Sequence, residues 1–203
     1  MGRFSVTFSS VKMFRDIPKL IQKCVRNRTP LTEGMRLWLD YCEHQYPAKV
    51  WAGLRKLDYE TDFDGLTLWL ADLLQSEPPP RTINGLWFGL YNPILKDGQP
   101  TCELYLAGSE RFDKPDWQCS PEYWPEGRYA PSDVLTAIYR RCESGKGAVD
   151  ILGEAFLCQG YVALVLARWC RGPMRSRLLG EAKSRGIGLG HDSGDAYVVE
   201  VLK

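Results

Sequence analysis

The stretch RGIGLGHDSGDAYVVEVLK holds His191, one of two histidines, beside Asp192, Ser193, Gly194 and Asp195. Imidazole, hydroxyl and carboxylates so close could do three kinds of chemistry. A serine hydrolase would use Ser193, but a nucleophile elbow needs G-x-S-x-G, and His191 and Asp195 stand at the two glycine positions. A thiol hydrolase would pair Cys158 or Cys170 with His191 as base and an Asp as orienter. Both thiols fall in the most apolar segment of the chain, where buried cysteines are usually inert. A metal centre would use His191, Asp192 and Asp195, but no calcium-loop spacing occurs, and two histidines without a CxxC argue against zinc. The remaining reading is a turn. Asp and Ser favour tight turns, Gly194 can take a positive φ, and a β-branched run follows. DSGD is therefore expected to be the turn of a C-terminal β-hairpin, with His191 and Ser193 structural and with no catalytic residue, metal or cofactor.

A second group of residues suits recognition. The segment SERFDKPDWQCSPEYWPEGRYAP, 109–131, shows no regular periodicity. Long aperiodic loops in compact domains are often functional. It carries Trp117, Tyr123, Trp124, Arg128 and Tyr129, the residue types that dominate interface hot spots. These five are the expected partner-binding residues, with Trp117, Trp124 and Arg128 as anchors. The competing reading is that the aromatics bury the loop against a sheet as an ordered lid. Asp58, Glu60, Asp62 and Asp64 would steer a basic partner. A third feature is the stripe Lys12, Arg15, Lys19, Lys23 and Arg26, which could track phosphates. The first reading, however, is a solvated helix face attracted to the acidic 58–77 segment, since no nucleic-acid-binding motif accompanies the stripe.

The 203 residues carry a net charge of +1, which favours neither nucleic acid nor a membrane surface. Seven cysteines, without a CxxC, imply reduced thiols and a cytoplasmic location. The stretch MGRFSVTFSS lacks the apolar region of a signal peptide. AFLCQGYVALVLARWC, 155–170, is interrupted by Gln159, Gly160 and Arg168 and is shorter than the ~20 residues of a membrane span. It reads as a buried central helix.

These features need elements to position them. Apolar spacing predicts helices over 11–26 (with Pro18 a place to break), 35–46, 62–75, 132–142 with Ser132 as N-cap, and 148–170. Residues 48–60 are ambiguous, and RGPMRSR reads as a loop. The Asp97-Gly98 signal predicts a hairpin with strands 85–91 and 101–107. The fold class is α+β: one domain, with a central and a C-terminal antiparallel hairpin packed against several helices.

GLWFGLYNP, CELYLAGSERFD, DWQCSPEYWPEGRYAPSDVLTAIYRR, the long apolar helix and GIGLGHDSGDAYVVEVL together resemble uncharacterised bacterial families of polymorphic toxin systems, whose members are immunity proteins. The resemblance is one of pattern and covers about residues 80–203. It implies a small, cytosolic, non-catalytic domain that binds a cognate toxin and blocks it by occlusion, and it supplies no catalytic residue. The alternatives are a hydrolase with a Cys/His or carboxylate centre near His191, and a nucleic-acid-binding regulator using the basic N-terminal helix.

Overall fold

Apolar spacing sets the first helix against its own proline. The computed structural model describes residues 8–114, 116–143, 148–191 and 196–203, and the side chains among these except residues 8–15, 148 and 196. Helix α1 (Phe8–Arg26) runs through Pro18 unbroken. The missing N–H and ring clash cost about 3 kcal/mol. Ile17, Ile21 and Val25 are buried, at about 1.5–3 kcal/mol each, and this outweighs the loss. Helix α2 (Leu31–Gln45) starts earlier than the apolar period suggests. Pro30, with φ −57°, is already shaped for entry. The ambiguous 48–60 stretch holds a short helix, α3 (Val50–Leu54). Helix α4 (Tyr59–Ser76) begins where Asp58 caps it, its carboxylate accepting from the Thr61 N–H at 3.1 Å.

Two strands follow, β1 (Gly85–Tyr91) and β2 (Glu103–Ser109), antiparallel and in register from Gly85↔Ser109 to Tyr91↔Glu103. In the turn region between them Gly98 has φ +79°, a conformation glycine adopts without strain, and the Asp97 carboxylate accepts from the Gln99 N–H. The expected loop 109–131 is more ordered than its sequence suggests. It contains a 3₁₀ turn (Trp117–Cys119), a bridge from Tyr123 to Gly108, and a strand β3 (Tyr129–Pro131) paired with β2. Helix α5 (Asp133–Glu143) is capped by Ser132, whose hydroxyl accepts from the Leu135 N–H at 3.0 Å.

Helix α6 (Ala148–Ile151), a π-helical stretch (Leu152–Cys158) and α7 (Gln159–Arg171) continue one another. Val149–Arg171 is long and apolar enough to span a membrane by length and composition, yet 72% of its most apolar window is buried inside the protein. Leu152, Phe156, Val162, Val165, Leu166 and Trp169 are each at most 1% exposed. The segment read as a loop, RGPMRSR, supplies most of a helix, α8 (Met174–Leu179), which packs on α7 and α4. Strands β4 (Arg185–His191) and β5 (Ala196–Leu202) pair antiparallel, and the DSGD turn expected between them lies outside the described residues.

The two hairpins are not separate units. Strand β4 pairs parallel with β1, so the sheet is mixed, in the order β3-β2-β1-β4-β5. The expectation of antiparallel strands alone is corrected at this one junction. The fold is α+β, with the helices on one face of the sheet. There Leu86, Phe88, Leu90, Leu104, Leu106, Ile187 and Leu189 join the helical core.

A candidate binding face of aromatic side chains

Strand alternation decides what the other face presents. If Leu86, Phe88 and Leu90 face the helices, Gly85, Trp87, Gly89 and Tyr91 face away. Register adds Glu103, Tyr105 and Ala107 from β2, Tyr129 from β3, and Gly186, Gly188 and Gly190 from β4. The glycines in RGIGLGH leave space that aromatic rings fill. A Cβ at Gly186 would lie 2.1 Å from the Phe112 ring, and one at Gly188 would lie 2.8 Å from Trp117. Trp117 is 8% exposed and meets Phe112 and Trp87 edge-on, at 5.1 and 5.9 Å between centroids. Trp87 Nε1 donates to the Tyr105 hydroxyl at 3.1 Å.

The rest of the loop is pinned by polar contacts. The Glu77 carboxylate accepts from the N–H groups of Glu126 and Gly127, at 2.8 and 3.1 Å. Tyr123 is buried and donates its hydroxyl to the Glu77 carbonyl. Burial, with the nearby Glu77 charge second, pushes the Tyr123 hydroxyl up to about 12. Trp69 Nε1 donates to the Gly127 carbonyl at 2.9 Å, and Arg111 pairs with Glu122 at 3.1 Å.

Trp124 and Tyr129 remain on the surface, 46% and 39% exposed, with Tyr91 at 40%. The Arg128 guanidinium lies 4.7 Å from the Trp124 ring centre and 4.8 Å from that of Tyr129, and donates to the Pro125 carbonyl. Such contacts contribute about 0.5–1 kcal/mol when exposed. Tyr105 meets Trp124 and Tyr129 at 5.7 and 5.9 Å, and Tyr129 meets Tyr91 at 5.6 Å. Between these rings and the 118–121 segment runs a groove of about 420 Å³.

The five residues expected to bind a partner therefore divide. Trp124, Arg128 and Tyr129 lie together at the surface, whereas Trp117 and Tyr123 hold the loop down. Trp87, Tyr91 and Tyr105 were missed because they sit in a strand pattern that reads as core. Their signal is the alternation of glycine and aromatic in GLWFGLY.

The acidic residues also divide. Asp58 caps α4, and Thr61 hydrogen bonds hold its carboxyl below the usual range. Glu60 pairs with Arg168 and accepts from Thr32. Asp62 turns inward, accepting from Ser132 Oγ and the Tyr161 hydroxyl, both at 2.7 Å, and from the Val134 N–H at 3.2 Å. Asp64 is exposed.

His191 lines the aromatic groove, as does the exposed Cys119. His191, at the end of β4, is 9% exposed, and both ring nitrogens lie near Glu154: Nε2 at 3.3 Å from its carbonyl, Nδ1 at 3.9 Å from its carboxylate. Asn92 donates to that carboxylate at 2.7 Å. The imidazole is thus buried beside the π-helical stretch, rather than solvated as a turn residue would be. Cys158 and Cys170 are buried, and burial pushes the Cys170 thiol up to about 12. For Cys158 the side-chain hydrogen bond with Cys102 comes first and burial second, again upward. Thiols so raised are not nucleophiles at neutral pH. Among the described residues no group of three or more His, Cys, Asp or Glu could hold a metal. Asp192, Ser193 and Asp195 lie outside those residues. On α1, Lys19, Lys23 and Arg26 are exposed, and the side chains of Lys12 and Arg15 are outside the described residues.

No family model, no curated protein and no solved structure matches the chain.

Proposed function

We propose that this chain is a non-catalytic binding protein of the immunity kind, which neutralises a cognate bacterial toxin in the cytoplasm by covering it. One observation carries the reading. Trp124, Arg128 and Tyr129 are stacked on one another at the surface of a loop whose backbone is tied to Glu77 and Trp69. Tyr, Trp and Arg anchor interfaces because they bury much area with few torsions to freeze. Here the ordering cost is already met within the free protein, which favours tight binding. The exposed acids Asp58 and Asp64 would add long-range attraction for a basic partner, weakening with salt.

The test is a pull-down from the native host, with Trp124→Ala and Arg128→Ala compared at equal thermal stability. Each should lose partner binding by about tenfold or more. Undiminished capture by the double variant removes the loop from the interface. Turnover of a small substrate that disappears in a folded His191→Ala protein moves the chain to the hydrolase reading.

A further inference from the structure

We infer that the aromatic groove takes an extended, proline-rich segment of the partner ending in a basic residue; this rests on the protein-binding reading above. Two properties of the groove and one charge beside it select that occupant. The first is what its rings cannot take. Arg128 already lies over one face of Trp124 and one of Tyr129, so a cationic head group finds those faces taken. An apolar occupant is left the remaining ring surface of the groove, which Trp87, Tyr91 and Tyr105 also line.

The second is the polarity of its free groups. Among the described residues, Trp124 Nε1, the Tyr91 and Tyr129 hydroxyls and the Gln118 amide have no hydrogen-bond partner within the protein. The indole is a donor only, and each of the others can donate. Beside apolar ring faces, such donors match a chain rich in carbonyl acceptors and poor in N–H groups. Proline-rich sequence is that chain, since each proline lacks an N–H and presents an apolar ring. It also enters the polyproline II helix before binding, so little entropy is lost on docking between aromatic side chains. Pairing of an ordinary strand onto the sheet here is blocked. The edge strand β3 is three residues long and ends in Pro131, and α4 packs along it, with Trp69 bonded to Gly127.

The third is the charge beside the groove. Glu103 stands on the same face, opposite Tyr91 in β1 and Pro131 in β3, half-buried and in no ion pair among the described residues. A carboxylate so placed selects a lysine or arginine at the end of the bound segment.

The experiment is fluorescence anisotropy with a labelled oligoproline peptide ending in arginine, against a glycine-serine peptide with the same end and against a soluble oligosaccharide. The oligoproline peptide should bind saturably, and Trp124→Ala should weaken it by about tenfold. Glu103→Gln should weaken the arginine-ended peptide several-fold and leave an uncharged-ended oligoproline unchanged. Equal affinity for the glycine-serine peptide, binding of the oligosaccharide alone, or no effect of Trp124→Ala overturns the inference. A second arm separates it from the reading beneath it. A captured partner released by saturating oligoproline supports the inference. A partner lost in Trp124→Ala but held against oligoproline overturns the inference and leaves the binding function standing. Oligoproline binding that depends on Trp124, in a protein that neutralises no toxin, supports the inference and removes the immunity function.

Discussion

Replacing Asp62 by alanine should destabilise this protein strongly, although its sequence places it among surface acids. The carboxylate accepts from Ser132 Oγ, the Tyr161 hydroxyl and the Val134 N–H, and so ties α4 to the start of α5 and to α7. Hydrogen bonds to a charged group contribute about 1.5–3 kcal/mol each, and an orphaned buried hydroxyl costs about 1–3 kcal/mol. Ser132 still caps α5 after the substitution, the Tyr161 hydroxyl keeps the Tyr59 carbonyl at 3.4 Å, and the three bonds share one acceptor, so their effects do not add fully. The expected loss is about 3–5 kcal/mol. For a chain of this size that lowers the melting temperature by roughly 6–20 °C. Thermal and urea unfolding followed by far-UV circular dichroism would measure it, with Asp64→Ala as the exposed control within about 0.5 kcal/mol of the parent. Tyr161→Phe completes a double-mutant cycle, in which coupling to Asp62 should reach about 1 kcal/mol. A change below about 0.5 kcal/mol in Asp62→Ala, with partner binding lost, would refute the reasoning and return Asp62 to the interface.

Phe156→Ala should cost about 3–5 kcal/mol in denaturant unfolding, because the ring is fully buried against Trp38 and Tyr41; a cost under about 1 kcal/mol would contradict that packing. Gly188→Val should displace Trp117 and cost about 1–3 kcal/mol, visible as altered near-UV circular dichroism; an unchanged spectrum would mean the ring does not rest on the strand. His191→Ala should change stability by about 1 kcal/mol and leave partner capture intact, and a loss of capture without unfolding would make this groove-lining imidazole a contact residue. A maleimide at neutral pH should label Cys119 alone, the exposed thiol, since burial pushes Cys142 and Cys170 up to about 12; intact-mass spectrometry showing further adducts on folded protein would contradict this.

What could be read from the chain depended on how local each determinant is. The 148–170 helix was legible because Leu152, Phe156, Val162 and Trp169 need only an apolar run to be placed inside. The β1–β2 hairpin was legible because Asp97-Gly98 lies between two runs that pair with each other. The β1–β4 junction joins Gly85 to Gly186 across a hundred residues, and no turn residue marks such a pairing. Helix α8 was missed because Gly172 and Pro173 look like a loop, whereas Pro173 precedes the helix and Met174 and Leu178 bury beneath it. Within the aromatic loop, composition singled out all five residues and could not separate the surface group Trp124, Arg128 and Tyr129 from the buried Trp117 and Tyr123. All five are types that bind partners and types that fill cores. The glycines of RGIGLGH make the difference, because they give Trp117 a floor from a strand far away in sequence.

The parallel junction has a consequence for synthesis. Strand β1 leaves the ribosome long before β4, so the nascent chain carries a three-stranded fragment with one open edge. Leu86, Phe88 and Leu90 then lack the helix that later covers them, and Trp117 has no glycine strand to lie on. The last lining residue of the aromatic groove, His191, is made with β4, and the sheet is completed when residues through Leu202 have followed. A chain halted before β4 should therefore be a client for chaperones and an incompetent binder, however much of its recognition loop it already contains.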